Sequence, residues 1–242
     1  MKIEVFADEK TTAHAAAKAI AEEARSAVAA RGRFVMAVSG GHSPWIMLRA
    51  LAGEDLPWQS IHVVQVDERV APPGDAERNL THLRESLLDH SAIPPEQIHA
   101  MPVESSNLEA AANEYAALLS EIAGSPAKLD LVHLGLGPDG HTASLVPKDP
   151  VLTIRDADVA ITGVYQGHRR MTLTYPLINR ARRILWLATG SEKSGVLLRL
   201  RQGDPFIPAG GISRPQAVIF ADRAATDGRE AASGTLVDKA VS

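Results

Sequence analysis

The sequence contains no cysteine among its 242 residues, so it can form no disulfide framework, no thiolate metal site and no cysteine nucleophile. It has no apolar run of membrane-spanning length, and its first residues, MKIEVFADEK, lack the long apolar core of a secretory signal. Its formal net charge of −4 argues against a general nucleic-acid binder, which would carry a basic stripe. We therefore expect a cytoplasmic globular protein that binds neither nucleic acid nor membranes.

Several catalytic templates are also missing. The sequence has no G-x-S-x-G elbow, no GxxxxGK[ST] loop and no HExxH pair. Its histidines are scattered without ligand spacing, so no metal site is predicted. His62 and His133 lie within strand patterns and are interpreted as packed or surface residues, whereas His42 is left undecided because it lies in a glycine-rich loop.

The apolar pattern alternates between short buried runs and longer amphipathic segments. A hydrophobic content of 45% is ample for a packed core. The predicted strands cover residues 2–6, 34–38, 61–66, 129–134, 170–174, 184–188 and 217–220. The predicted helices cover residues 10–30, 44–52, 79–88, 108–122, 176–182 and 194–202. This alternation predicts one α/β domain over residues 1–227, with a mostly parallel sheet and helices on both faces. Disorder is expected for the small, polar tail over residues 228–242.

The segment 129–147, LDLVHLGLGPDGHTASLVP, concentrates the residues that are most suited to chemistry. An apolar run breaks into a glycine-rich loop that presents Asp139 and His141 just past the carboxyl end of the strand. In open α/β sheets the ligand crevice lies outside those ends. Glycines allow the backbone close to a ligand, and a histidine can exchange a proton near neutral pH.

Four loops follow predicted parallel strands and should meet at one edge of the sheet: 39–44, 67–72, 135–142 and 190–193. Two of them precede helices, whose free N–H groups favour phosphate, and Lys193 would add a full charge. Ser43 and Ser191 are the expected N-caps of these helices. The four loops together predict a site for a small phosphorylated molecule with a histidine beside it.

Each loop alone has a simpler interpretation, as a tight turn, a solvated charge cluster or a surface lysine. Residues 135–140 also match G-x-G-x-x-G literally. A nicotinamide site is disfavoured because Pro147 and Pro150 shorten the following segment, whereas that fingerprint requires a full helix.

Five segments, in this order, resemble the glucosamine-6-phosphate isomerase/6-phosphogluconolactonase family: AVSGGHSP, QVDERVAP, LGLGPDGHTASLVP, RMTLTYPLINRAR and TGSEKSGVL. Within the family, DER and DGHTASLVP are similar to the lactonases, since the deaminases usually carry DEY and a DGHIAFNEP-like continuation. The chain departs from the pattern at His42, where arginine or serine is commoner. It also departs at Glu77 and Arg78, where Asp-Ser usually precedes the matching Asn79.

The resemblance implies a sugar-phosphate isomerase/deaminase-like fold and hydrolysis of 6-phospho-D-glucono-1,5-lactone in the oxidative pentose phosphate pathway, without a cofactor. It implies that His141 is the general base that activates water, and that Arg69 meets the developing oxyanion or the product carboxylate. Asp139 is expected either to orient His141 or to cap the following turn.

The resemblance also implies how the rest of the substrate is held. Asp67 would hold sugar hydroxyls or orient its loop. The phosphate would be held by the backbone N–H groups of Ser39, Gly40 and Gly41. The side chains of Lys193 and Arg170 would add positive charge. The expected partner is thus a phosphorylated sugar lactone, with at most weak self-association of the chain.

Two alternatives remain at this point. One is a sugar-phosphate isomerase or deaminase on the same fold. The other is a non-catalytic effector domain that binds phosphorylated sugars.

Overall fold

A computed structural model describes residues 1–227, which form ten β-strands and seven α-helices. The tail for which disorder is expected, residues 228–242, lies outside the described residues. Seven strands form one sheet, and in chain order they are β1 (Lys2–Phe6), β2 (Phe34–Val38), β3 (Ile61–Gln65), β5 (Ile98–His99), β6 (Leu131–Gly135), β9 (Arg183–Ala188) and β10 (Ala217–Asp222). Their order in the sheet is β1-β10-β9-β6-β2-β3-β5, and every neighbouring pair is parallel.

The helices connect these strands and cover both faces of the sheet. They are α1 (Glu9–Arg31), α2 (His42–Ala52), α3 (Asn79–Ser86), α4 (Leu108–Ala123), α5 (Tyr175–Arg180), α6 (Ser194–Gln202) and α7 (Arg223–Thr226). One hydrophobic core lies between the sheet and α1, α2 and α3, and the other contains the buried faces of α4, α5 and α6. The predicted α/β class, with helices on both faces of a parallel sheet, is confirmed.

Strand β2 shows why the apolar run FVMAV predicts a central strand. Successive side chains of a strand point to opposite faces. Phe34 and Met36 enter the core beside α1 and α2, whereas Val35 and Ala37 enter the core on the other face. Because both faces are covered, the strand is apolar at every position rather than at alternate ones.

Helix α1 is bounded by local signals. Asp8 and Thr11 form a capping box, in which each side chain accepts a hydrogen bond from the other's backbone N–H. Gly32 ends the helix in the left-handed conformation, φ +74°, which glycine adopts without steric cost.

A second, antiparallel sheet lies beside the carboxyl edge of the first. It has the order β4-β8-β7, with β4 (Asp67–Arg69), β7 (Val159–Ile161) and β8 (Arg170–Leu173). The prediction that residues 67–69 belong to a loop is therefore wrong. These three polar residues pair with β8, a partner about a hundred positions later, which no local pattern reveals.

Among residues 1–227, no helix combines the length and the apolar character needed to cross a bilayer. In the same part of the chain, no three His, Cys, Asp or Glu side chains come together as a group that could hold a metal ion.

Candidate active site

The four predicted loops meet at a cavity of about 590 Å³ on the carboxyl edge of the parallel sheet. They converge because β2, β3, β6 and β9 are parallel, so their carboxyl ends lie at the same edge. Eight of the nine predicted site residues line this cavity: Ser39, Gly40, Gly41, Asp67, Arg69, His141, Arg170 and Lys193. The ninth, Asp139, contacts His141 instead.

The loop after β6 holds His141 through a compact turn. The N–H of Gly137 donates to the carbonyl of His141 at 2.8 Å, and the N–H of Gly140 donates to the carbonyl of Gly137 at 3.0 Å. Gly140 has φ +85°, and a Cβ there would collide with Ile207. Gly140 is therefore required both by its backbone conformation and by close packing.

Asp139 orients His141. Its Oδ1 lies 2.5 Å from His141 Nδ1 and also accepts the His141 backbone N–H at 3.1 Å. A carboxylate can only accept, so the proton of the neutral imidazole belongs on Nδ1 and the lone pair on Nε2. The two contacts of Asp139 fit both roles expected for it, orienting the ring and capping the turn.

The ionisation of Asp139 favours the same arrangement. Partial burial alone would raise the pKa of Asp139, but hydrogen bonds from the backbone and the side chain of His141 lower that pKa below its ordinary value. The carboxylate therefore stays charged at neutral pH and remains an acceptor for His141.

Asp67, Arg69 and Asn79 form a hydrogen-bonded group on the opposite wall. The Asn79 amide donates to the carbonyl oxygen of Asp67 at 2.9 Å and accepts from Arg69 Nη1 at 2.9 Å. Asp67 Oδ2 accepts from Ser144 Oγ at 2.5 Å. Of the two roles expected for Asp67, these contacts favour orientation of the loop. In the sequence, Asn79 matches the family pattern without an assigned role. Its hydrogen bonds to Asp67 and Arg69 are seen only in the structure.

Arg170 lies directly across the antiparallel ladder from Arg69. Its side chain is only 4% exposed, and its Nη1 is 4.0 Å from Asp67 Oδ2. Burial lowers the pKa of Arg170 and Arg69 adds to that effect, while Asp67 opposes it. The Nε atoms of both arginines are buried without a hydrogen-bond partner among residues 1–227. Both residues line the cavity, where their positive charge favours an anion.

The glycine loop after β2 differs from its prediction in two respects. The N–H of Ser39 is donated to His133 Nδ1 at 3.3 Å, and Ser39 Oγ donates to the His133 carbonyl. The expected phosphate contact through the Ser39 N–H is therefore corrected, and Gly40 and Gly41 are left to supply backbone N–H groups. The expected cap is also wrong, since Gly41 is the N-cap of α2 and Ser43 lies inside the helix.

The fourth loop places Lys193 in a short 3₁₀ turn, Ser191–Lys193, and α6 begins only at Ser194. Ser191 is therefore not the helix cap that its position predicts. The turn follows Gly190, whose N–H is held by the carboxylate of Asp222 at 3.0 and 3.1 Å. This contact fixes the approach of the loop to the cavity.

The model of the family described as glucosamine-6-phosphate isomerases/6-phosphogluconolactonase matches residues 7–220. The chain belongs to this family. A 6-phosphogluconolactonase of Mycobacterium leprae is 38% identical over 224 residues, which cover 86% of this chain and 90% of that protein. All nine predicted site residues fall within the segment matched by the family model.

Solved structures agree with this placement. The crystal structure of a 6-phosphogluconolactonase from Thermotoga maritima has a TM-score of 0.81 at 25% identity, and covers 91% of this chain and 98% of that one. A monomeric glucosamine-6-phosphate deaminase has a TM-score of 0.82 at 19% identity, over 95% of this chain and 100% of that one. The second likeness, at 19% identity, shows the fold alone.

One departure from the family pattern, Arg78, is buried. Arg78 is 2% exposed, with Nε 3.2 Å from Glu68 Oε2 and Nη1 2.9 Å from Glu104 Oε1. Glu68 is fully buried and also accepts the backbone N–H groups of Asn79 and Leu80, which start α3. Arg78 thus stabilises the loop behind Arg69 and does not line the cavity.

The other departure, His42, lies on the rim. Its side chain is 78% exposed, and its Nε2 is 3.8 Å from Glu9 Oε2. Glu9 also lines the cavity and accepts from Ser43 Oγ at 2.5 Å. The start of α2 is therefore bordered by an acidic side chain as well as by free N–H groups.

Proposed function

We propose that this chain hydrolyses 6-phospho-D-glucono-1,5-lactone to 6-phosphogluconate, the lactonase step of the oxidative pentose phosphate pathway. The observation that carries the proposal is the Asp139–His141 pair, with Nε2 of His141 left as the acceptor, at a cavity that also contains the buried Arg170 and the partly buried Arg69. The relative in Mycobacterium leprae bears the name of this activity.

In the proposed reaction, His141 Nε2 removes a proton from water as the water oxygen attacks the lactone carbonyl carbon. Asp139 stabilises the imidazolium that forms. The carbonyl oxygen becomes an oxyanion, and Arg69 supplies the fixed positive charge beside it. When the bond between the carbonyl carbon and the ring oxygen breaks, His141 returns its proton to the departing oxygen, which becomes a hydroxyl group.

The phosphate is held at the other loops. The N–H groups of Gly40 and Gly41 lie at the uncapped start of α2, where the helix dipole favours an anion. Lys193 and Arg170 add positive charge. Asp67 holds the amide of Asn79, which in turn accepts from Arg69. No cofactor takes part.

The test is lactone hydrolysis with substrate generated in situ, corrected for spontaneous opening, in wild type and in His141→Ala. We expect the variant to lose about 10²–10⁴-fold in kcat, the usual worth of general acid–base catalysis, while binding 6-phosphogluconate normally. His90→Ala removes an exposed histidine outside the cavity and should leave kcat unchanged.

Near-normal turnover in His141→Ala would remove this residue as the base. No acceleration by wild type would overturn the lactonase proposal, and turnover of glucosamine 6-phosphate would then be the next assay.

A further inference from the structure

A tyrosine outside the predicted site contacts both members of the Asp139–His141 pair. Tyr165 Oη donates to Asp139 Oδ2 at 3.1 Å, while Oδ1 of the same carboxylate faces His141 Nδ1. The Tyr165 ring also meets the His141 ring edge-on, with 5.5 Å between centroids and 65° between planes. The three side chains therefore form a closed group, in which each contacts the other two.

The position of Tyr165 is set by the tight turn that joins β7 to β8. The N–H of Tyr165 donates to the carbonyl of His168 at 2.9 Å, and His168 returns the bond at 3.3 Å. Gln166 and Gly167 have φ of +50° and +85°, as a two-residue hairpin turn with positive φ at both central positions requires. The turn thus directs Tyr165 toward the loop that carries His141.

The same tyrosine contacts the cavity wall. The Arg170 guanidinium carbon lies 5.2 Å from the centroid of the Tyr165 ring, and Arg170 Nη2 donates to Gln166 Oε1 at 3.3 Å. A guanidinium at this distance from an aromatic face is attracted by the ring quadrupole. Tyr165 therefore joins the Asp139–His141 pair to a cation of the proposed binding site.

We propose that Tyr165 is a positioning residue for the reaction, acting on His141 through Asp139 and on Arg170 through its ring. A carboxylate held at one oxygen can still rotate, whereas a donor on each oxygen fixes its plane and so the direction of the imidazole. This role rests on the proposed function, and none of the family's expected roles falls on residue 165.

The ionisation of the two groups is consistent with this arrangement. Burial would raise the pKa of Asp139, but the hydrogen bonds from His141 and, to a smaller extent, from Tyr165 lower it. Burial and the bond to Asp139 raise the pKa of Tyr165, so its hydroxyl remains a donor at neutral pH.

Two substitutions separate the hydroxyl from the ring. Tyr165→Phe keeps the ring and should lower kcat about tenfold with KM unchanged, the size of one lost charge-assisted hydrogen bond. Tyr165→Leu also removes the ring from Arg170 and should raise KM for the phosphorylated lactone as well. Tyr115→Phe is the matched control, because its hydroxyl donates to the His99 carbonyl in the core and should affect stability only.

A second measurement follows the carboxyl of Asp139 directly, by carbon NMR titration with labelled aspartate. The pKa of Asp139 should rise toward its ordinary value in Tyr165→Phe, because a donor to the ionised form is lost, and should not change in Tyr115→Phe. Turnover in Tyr165→Phe within twofold of wild type, or an unchanged Asp139 titration, would overturn the role of Tyr165. Lack of lactonase activity in wild type would overturn the proposed function. The titration of Asp139 would still test the hydrogen bond from Tyr165 in that case.

Discussion

The imidazole of His141 lies against the Cα of Gly137, in the space that a Cβ on residue 137 would occupy. The backbone of the two residues is tied together as well, since the Gly137 N–H donates to the His141 carbonyl. The ring therefore rests on the glycine of its own loop while Asp139 holds Nδ1. Gly137 does not have a positive φ, so glycine is required at this position by packing against His141 rather than by backbone conformation.

Gly137→Ala should consequently displace the His141 ring. We expect kcat for the lactone to fall toward that of His141→Ala, a loss of up to about 10²–10⁴-fold, because the base leaves its position while the fold remains. Steady-state kinetics measure the loss in kcat, and a circular dichroism spectrum checks that the fold is unchanged.

Gly195→Ala is the control for the same chemical change. A Cβ at Gly195 meets nothing within 4 Å, so this variant should be neutral or stabilised by about 0.5–1 kcal/mol, with normal kcat. Full activity in Gly137→Ala would mean that the ring can occupy another productive position.

Lys193→Ala should mainly weaken binding of the phosphate. We expect KM for the phosphorylated lactone to rise about 10–100-fold, since a hydrogen bond to a charged group contributes about 1.5–3 kcal/mol. The kinetics of an unphosphorylated lactone should change less than twofold. Lys128→Ala, an exposed lysine away from the cavity, should change neither substrate's KM.

An equal loss on both lactones would contradict a phosphate role for Lys193. If Arg170→Lys alone shows the phosphate-dependent rise in KM, the phosphate is held at the β8 side of the cavity instead.

Glu68 should be important for stability rather than for catalysis. Its buried carboxylate accepts the N–H groups of Arg69, Asn79 and Leu80, and lies 3.2 Å from the guanidinium of Arg78. Glu68→Gln removes the charge and places amide hydrogens against some of these donors. We expect the free energy of unfolding to fall by about 3–5 kcal/mol, measured by urea denaturation.

The exposed pair Lys2–Glu4 is the comparison, with nitrogen and oxygen 2.7 Å apart and the lysine 62% exposed. Glu4→Gln should change the free energy of unfolding by less than about 1 kcal/mol. Equal effects at Glu4 and Glu68 would mean that burial of Glu68 does not determine its contribution.

His133 predicts a pH dependence of stability. Burial lowers the pKa of His133 to about 3, while in the unfolded chain it should be near its ordinary value. Between pH 6.5 and 3 the unfolded state binds a proton that the folded state does not. The free energy of unfolding should therefore decrease as pH falls through this range, by a few kcal/mol in total.

His133→Asn tests this, because its amide oxygen can still accept the Ser39 N–H and the side chain does not titrate. The decrease in stability between pH 6.5 and 3 should be smaller in this variant, whereas His90→Asn, at an exposed position, should leave it unchanged. A slope in His133→Asn identical to that of wild type would contradict the prediction.

The sequence predicts most of the secondary structure where one segment carries its own signal. The run FVMAV predicts β2 at its observed bounds, because a strand buried on both faces is apolar throughout. The alanine-rich segment 10–30 predicts α1 to within one residue at either end. The antiparallel sheet is not predicted, because β4 is three polar residues, and its pairing with β8 depends on contacts distant in the sequence.

The sequence predicts which loops form the candidate site, but it does not predict most of the contacts between their side chains. Asp139 and His141 are two residues apart, so their pairing could be anticipated. Asn79 and Tyr165 could not be placed, since Arg69 lies 10 positions from Asn79, and Asp139 lies 26 positions from Tyr165.

By itself, therefore, the sequence determined the α/β alternation, the four loops and the residue types at one edge of the sheet, because periodicity, glycine and helix-start signals act over a few neighbouring residues. The tertiary structure alone decided which polar groups meet. It directs the Ser39 N–H to His133, places Arg69 opposite Arg170 across the antiparallel ladder, and brings Tyr165 to Asp139. Buried polar groups take whichever partner the fold brings within about 3 Å, and that distance is set by packing between distant segments.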